Sequence, residues 1–473
     1  MNTKIYKLAT THATPLVLSF LLLGLSGCAN MAPYEKPLME VPSAFKETKQ
    51  WAAARVQADQ VPDDWWRLFK DPTLDQLQAD LVLGNQNLKN SVAQYQAARA
   101  ALGASRASLF PTLGATAGAT RGTNAVNGAN VTDSYSLGAN ASWELDLWGR
   151  LSSGVEVSQA KLQASQDDLA AARLSLQATL VQTYFSLRTA EAQAASLDSA
   201  VAAYQRSLEL TQNRYGAGVA SAADVAQAQT QLKTTQAQWI ETRGSRSQLE
   251  HALAVLLGKP PAGFSLPVTA LLPTPPDVPL QLPATLMERR PDIAASERRV
   301  AAAYAQIGVA HAAYFPALTL SGSAGYRGAS LADLISAPNL FWSLGPALAL
   351  SLFDGGARQA AEDSATAATA QAVAVYRQTV LTALQEVEDN LVIASSLDES
   401  NAVQVEALSA AQKALEVVSN QYKAGTVSYL NVVTAQAAAL SVERSLLDVR
   451  NRRLLALAQL LKNIGGRWNT IQN

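Results

Sequence analysis

The chain carries one folding unit twice, and this duplication narrows its architecture more than any other feature. Asn213-Arg-Tyr-Gly-Ala-Gly-Val-Ala-Ser221 matches Asn420-Gln-Tyr-Lys-Ala-Gly-Thr-Val-Ser428, an offset of 207 residues. The register continues, with Val225 on Val432, Ala228 on Ala435 and Gln229 on Gln436. Phe110-Pro111 falls on Phe315-Pro316 at an offset of 205. Leu147-Trp148-Gly149-Arg150 answers Phe353-Asp354-Gly355-Gly356-Ala357-Arg358. Three anchors in one order, at nearly one offset, mark a tandem repeat.

Both copies follow one plan. A helix of roughly 30 residues (about Leu74 to Ser108, then about Pro283 to Ala313) leads into two strands, a very long helix, a Tyr-x-Ala-Gly turn and a returning helix. The boundaries read 64–258 for the first repeat and 283–464 for the second, with a short tail at 465–473. The segment 259–282 holds Pro260, Pro261, Pro267, Pro273, Pro275, Pro276 and Pro279, too many for a helix to continue, and is the linker. In the first long helix Leu162, Leu169, Leu176, Ala190, Leu197 and Tyr204 share one heptad position, and Leu180, Leu187, Ala194, Val201 and Leu208 share another. The second copy repeats the pattern at Val373, Val380, Val387, Ala394, Leu408 and Leu415. A seven-residue period held this long implies left-handed supercoiling. The proline-free run 153–214 reaches about 90 Å at helical rise. The turns are helix stops: Gly216, Gly218 and Gly425 are expected at positive φ, and Ser221 and Ser428 at the following N-caps.

Between the helices the period changes from seven to two. Tyr135, Leu137, Ala139, Ala141, Trp143, Leu145 and Leu147 share one face, with Ser136, Gly138, Asn140, Ser142, Glu144 and Asp146 on the other. Leu318, Leu320, Ala324 and Tyr326 alternate with Thr319, Ser321, Ser323 and Arg327. A last apolar face runs through Leu340, Trp342, Leu344, Leu348, Leu350 and Leu352. The strands lie near 112–148 and 317–353. The charge-free run 334–353 also has the length of a membrane helix, but Pro338, Asn339, Gly345 and Pro346 oppose one. Aromatic residues at the strand ends (Tyr135, Trp148, Tyr326, Trp342) fit the girdles of a membrane β-barrel. Such a barrel must close, and four strands fall short of the roughly eight of the smallest kind. Closure therefore requires a cyclic oligomer; a trimer gives about 12 strands.

The N-terminus reads as an export signal. Lys4 and Lys7 precede the apolar stretch Leu16 to Leu25, which is too short to span a bilayer. Leu25-Ser26-Gly27-Cys28 follows, and Cys28 is the only cysteine in the chain. The pattern resembles a bacterial lipobox: 1–27 is then removed and Cys28 becomes lipidated, anchoring an extended leader over 28–63. Ala29 rather than Asp at the next position favours, by the same resemblance, delivery to the outer membrane.

Lys and Arg number 37 against 38 Asp and Glu, so no basic excess exists for binding nucleic acid. With three His and one Cys, few metal or catalytic sites can be built. His251 and His311 sit in Ala-rich helices and suit packing or surface roles. Glu386-Val387-Glu388-Asp389 spreads its carboxylates around a helix, and Phe353-Asp354-Gly355-Gly356 lacks a phosphate-loop Lys. No enzyme activity, cofactor or metal is expected.

Asp64-Trp65-Trp66-Arg67-Leu68-Phe69-Lys70-Asp71-Pro72, Trp143-Glu144-Leu145-Asp146-Leu147-Trp148-Gly149-Arg150, Arg289-Arg290-Pro291-Asp292-Ile293, Ala305-Gln306-Ile307-Gly308-Val309-Ala310 and Tyr314-Phe315-Pro316 together carry a resemblance. The chain resembles the bacterial outer membrane factor family, the TolC-like efflux ducts, in its lipidated NodT/OprM-like branch. The resemblance implies a mainly α fold with a transmembrane β-barrel: a homotrimer with a barrel of about 12 strands and a periplasmic α-helical barrel. It implies a passive exit duct for drugs and other toxic small molecules. The implied partners are a periplasmic adaptor and an inner membrane pump of RND type. It places the turns at Tyr215, Gly216, Gly218, Tyr422 and Gly425 at the adaptor-facing tip. Many relatives carry carboxylates just after the second turn, where this chain has Asn431 and Thr434; Asp224 holds the equivalent place in the first copy. These three are the candidate constriction. A coiled-coil scaffold lipoprotein without a pore is the alternative, and the period-two strands speak against it.

Overall fold

The computed structural model describes residues 32–47, 64–123, 131–276 and 289–464. Cys28, the export signal, and the expected helix start at Pro283 lie outside the described residues. Among the described residues seven α-helices and four strands follow one another: α1 (Pro72–Gly84), α2 (Gln86–Ala107), β1 (Thr112–Thr123), β2 (Val131–Leu145), α3 (Arg150–Gly216), α4 (Ala222–Leu256), α5 (Pro291–Ala312), β3 (Ala317–Gly328), β4 (Leu340–Ala349), α6 (Ala357–Lys423) and α7 (Tyr429–Ile464). The helix–strand–strand–helix–helix order thus occurs twice, and α3 and α6 are each 67 residues long. The chain divides into two compact units, one of residues 1–38, 95–165 and 295–376, the other of residues 39–94, 166–294 and 377–473.

The first unit is built on one antiparallel sheet in the order β1-β2-β3-β4. Sequence neighbours pair throughout, and β2, from the first repeat, pairs with β3, from the second, through Leu137↔Tyr326 and Leu145↔Leu318. The run 334–353 is a short 3-10 turn and β4, and no described helix is long and apolar enough to cross a membrane. The strand-to-helix joints show why glycines sit there. Gly149, Gly355 and Gly356 have φ of 75°, 65° and 92°, a region that penalises a Cβ. Asp146 accepts hydrogen bonds from the Leu151 and Ser152 amides at 2.8 and 2.7 Å. Asp354 repeats the device on the Gly356 and Arg358 amides at 3.0 and 3.2 Å. Trp148 stacks on Phe315 at 4.9 Å, and its indole N–H donates to the Pro316 carbonyl at 2.6 Å. The leader is tied down here: the Tyr34 hydroxyl donates to Glu297 at 2.7 Å and the Tyr304 hydroxyl to the Ala32 carbonyl at 2.9 Å.

The second unit holds the largest apolar core, drawn from α1, α3, α4, α6 and α7. Heptad positions Leu180, Leu187, Val380, Val387 and Ala394 are fully buried in the chain, whereas Leu162, Leu408 and Leu415 are only half-buried. Asp71 caps α1 by accepting from the Thr73 and Leu74 amides, with Pro72 at the first helical position, where no N–H is needed. The single helix expected over 74–108 is broken at Asn85, whose ψ of 124° is extended. The break lies against the end of α4. A Cβ on Gly84 would lie 2.0 Å from the Leu257 carbonyl oxygen, and one on Gly258 would lie 2.2 Å from that of Gly84. Asn85 closes the gap, donating to the Leu256 carbonyl at 2.7 Å and capping α2 through the Leu88 amide at 2.9 Å.

The leader also enters this core. Phe45 is 4% exposed, and the Lys46 and Glu47 amides donate to Glu388 at 2.7 and 3.1 Å. Glu386 takes a hydrogen bond from Arg290 at 2.8 Å. Two carboxylates of the acidic run on α6 are thereby assigned to packing partners.

Candidate functional site

The two interhelical turns are built alike. The Gly218 amide donates to the Tyr215 carbonyl at 2.9 Å and the Val219 amide to that of Arg214 at 2.8 Å; Gly425 and Thr426 do the same to Tyr422 and Gln421, each at 3.0 Å. This pair of bonds is a Schellman motif, and it demands a left-handed residue after the helix. Gly218 and Gly425 supply it with φ of 78° and 74°. Gly216 does not: it is the last residue of α3 with ordinary helical backbone, and the expectation of positive φ there is corrected. A Schellman turn needs only one left-handed residue, so the other glycine of the pair falls inside the helix.

After the first turn Ser221 and Asp224 form a capping box. The Ser221 hydroxyl accepts from the Asp224 amide at 3.1 Å, and the Asp224 carboxylate accepts from the Ser221 amide and hydroxyl at 2.9 and 2.8 Å. Asp224 therefore has a local structural role and remains half-buried. Asn431 and Thr434, in the opening turns of α7, are exposed, and the Thr434 hydroxyl donates back to the Leu430 carbonyl at 2.9 Å.

The two turns meet. Tyr422 is 5% exposed, whereas Tyr215, its counterpart, is 52% exposed. The Arg214 guanidinium lies 4.7 Å from the Tyr422 ring centroid and donates to the Tyr422 carbonyl at 3.2 Å. Tyr422 packs edge-on against Tyr429 at 5.3 Å, and the Tyr429 hydroxyl donates to Ser207 at 3.2 Å. The Tyr204 hydroxyl donates to the Gln436 carbonyl at 3.1 Å. Burial pushes the Tyr204 and Tyr429 phenols up, so both stay protonated donors. The ends of the α3–α4 and α6–α7 hairpins are thus joined by one aromatic cluster. Arg214 has no place among the residues selected from sequence. Its only signal there is the mismatch inside the repeat, Arg214 against Gln421.

The sheet of the first unit forms a second surface of interest. Its apolar face runs across the strands in rows such as Leu145–Leu318–Leu348 and Leu137–Tyr326–Leu340. On the outer strands this face is bare in the single chain: Leu113 of β1 is 84% exposed, and Trp342 and Leu344 of β4 are 75% and 70% exposed, while Leu145, Leu318 and Tyr326 between them are half-buried. Soluble proteins rarely leave so continuous an apolar surface uncovered. β1 and β4 also leave two open edges, which lipid does not tolerate.

With this geometry in hand, three comparisons converge. The family model described as "Outer membrane efflux protein" matches residues 79–259 and again 282–466, once on each repeat. Outer membrane protein OprJ of Pseudomonas aeruginosa is 32% identical over 466 residues, spanning 95% of this chain and 96% of its own. Cation efflux system protein CusC of Escherichia coli is 28% identical, spanning 94% and 97%. The solved outer-membrane channel OprN superposes with a TM-score of 0.86 at 30% identity, covering 93% of this chain and all of its own. The chain belongs to the outer membrane efflux protein family.

Proposed function

We propose that this outer membrane efflux channel is the passive exit duct of a three-part export machine, working as a homotrimer. The carrying observation is the four-stranded sheet with a bare apolar face and both edges open. Three copies joined edge to edge satisfy every backbone group and turn the apolar face to lipid. The 67-residue helices α3 and α6 then run into the periplasm, and their joined turns at Tyr215, Gly216, Gly218, Tyr422 and Gly425 meet a periplasmic adaptor fed by an inner membrane pump of RND type. OprJ, CusC and the pyoverdine export protein OpmQ, 31% identical, bear names of export components. The cargo is drugs and other toxic small molecules. The constriction lies in the opening turns of the returning helices, at Asp224, Asn431 and Thr434. The chain is anchored through lipid on Cys28, which follows Leu25-Ser26-Gly27 as in a lipobox.

Native mass spectrometry of the detergent-extracted protein should give three copies, and planar bilayers should show conducting pores. A monodisperse monomer that conducts overturns the shared barrel. Asp224→Asn retains a capping oxygen and removes the charge, so it should lower cation selectivity without unfolding the turn; unchanged selectivity moves the constriction elsewhere. Cys28→Ser should abolish incorporation of labelled palmitate.

A further inference from the structure

The face of the sheet opposite the apolar one is almost uncharged. Across the four strands it presents mainly Ser, Thr, Asn, Gly and Ala, among them Thr116, Ser136, Asn140 and Ser323. Among the described strand residues only two charges break this run. Glu144 is held by Arg150 through two hydrogen bonds of 2.8 and 2.7 Å. Among the described residues Arg327 has no carboxylate partner; its guanidinium lies 5.2 Å from the centroid of the Phe341 ring.

Phe341 is placed by an absence of side chains. Gly138, Gly325 and Phe341 are successive partners across β2, β3 and β4. A Cβ on Gly138 would stand 3.5 Å from the tip of the Phe341 ring, and one on Gly325 would collide with the Leu137 carbonyl oxygen at 2.3 Å. The ring therefore spans two glycines on its own face. Arg327 follows Gly325 by two residues, so its side chain leaves the same face beside the ring, with Ser136 as its cross-strand partner. A phenyl face attracts a guanidinium and restricts its rotamers without neutralising it.

From this we infer that Arg327, positioned by Phe341, is a binding station for anionic cargo on the water-facing wall of the barrel, near the end of β3 remote from α5. The inference rests on the reading that the polar face lines the duct. A single fixed cation among neutral hydroxyls concentrates anions and repels cations. Closure by three copies would set three such groups around one lumen. Arg supplies several N–H donors suited to carboxylate, sulfate or phosphate.

The test uses the full-length protein in intact outer membranes. Cys28 is its only cysteine, so the parent chain sets the background. Ser136→Cys places a thiol opposite Arg327. Its modification rates by an anionic sulfonatoethyl and a cationic trimethylammonioethyl thiosulfonate report the local field, whatever the turns at the other end of α3 and α6 do. At low salt the anionic-to-cationic rate ratio should fall about fivefold on adding Arg327→Gln, the effect of one full charge at about 8 Å in water. The difference should shrink as salt shortens the screening length. Phe341→Ala should lower the ratio part of the way, and Phe341→Tyr should keep it. A ratio indifferent to Arg327→Gln overturns the inference and leaves the duct intact. If Ser136→Cys is untouched while Leu137→Cys, on the opposite face, reacts with both reagents, the polar face does not line water and the barrel reading falls as well.

Discussion

Glu191 is the residue whose loss should most loosen the second unit. It is 2% exposed and takes three hydrogen bonds: from Arg188 at 2.7 Å, from Arg246 at 3.2 Å and from the Thr269 amide at 3.0 Å. The two arginines in turn donate to the Pro267 and Leu266 carbonyls at 2.9 and 2.7 Å, and Glu250 takes the Leu266 amide at 2.8 Å. Two carboxylates and two guanidiniums thus hold the start of the inter-repeat linker against α3 and α4. In Glu191→Ala the arginines stay and the compensating charge goes. Breaking a buried pair in this way costs about 3–5 kcal/mol. If that cost falls on local opening, exchange of the Thr269 and Leu266 amides should accelerate roughly a hundredfold to a few thousandfold, at about 1.4 kcal/mol per tenfold. Hydrogen exchange followed by mass spectrometry on peptides covering 264–270 reads this directly. Glu209→Ala, on an exposed position of α3, is the control and should change exchange little. Acceleration below tenfold at both amides would refute the claim that Glu191 bears the charge balance of the clamp.

Phe45→Ala removes a buried ring from the leader's contact with α6 and should cost about 3–5 kcal/mol, seen as faster protease cleavage of the leader. Burial opposes the Asp292 carboxylate, yet hydrogen bonds from Arg290 at 3.0 and 2.7 Å outweigh it and hold its pKa below the usual carboxylate range. A depressed folded pKa stabilises above the unfolded value of about 4 and is lost as pH falls through the folded one. Melting temperatures should therefore drop more between pH 5 and 3 (roughly the carboxylate range) in wild type than in Asp292→Asn. Gly425→Val forces a β-branched residue to φ 74° and should lower the melting temperature, at a cost of about 1–3 kcal/mol. Gly216→Ala should be neutral or raise it, because Gly216 is helical with open space where a Cβ would point.

Much of the fold was readable because its signals are periodic and doubled. The change from seven-residue to two-residue spacing located β2, β3 and β4, since the two faces of a strand must alternate; β1, rich in Ala, Gly and Thr, carries a weaker form of the same signal. What escaped were features set by a single contact between distant residues. The break at Gly84-Asn85 has only a short signal in the sequence, a glycine followed by an N-cap residue; the contact it serves, with the Leu257 carbonyl packed where a Cβ would be, is set by residues far along the chain. The leader looked merely extended, yet Phe45 and Tyr34 each have a fixed partner hundreds of residues away. Side-chain networks such as Arg188–Glu191–Arg246 are likewise invisible until the helices are placed side by side.

The turns show most clearly where duplication misleads. Equal motifs suggest equal roles, and the backbones of the two turns do match bond for bond. Their side chains diverge because one hairpin packs against the other. Tyr422 is covered by Arg214, a residue of the first repeat, whereas the position that would cover Tyr215 in return, Gln421, is not an arginine. Here the two hairpins pack asymmetrically, so each copy has adapted to the other and the two have diverged. The same reasoning separates Asp224 from Asn431. Asp224 closes a capping box with Ser221, while Asn431, one repeat later, is exposed and leaves Ser428 without an acidic partner at that position. The informative positions in such a chain are therefore the mismatches within the repeat. Arg214 against Gln421 and Asp224 against Asn431 mark where the two hairpins stopped being copies and became complementary halves.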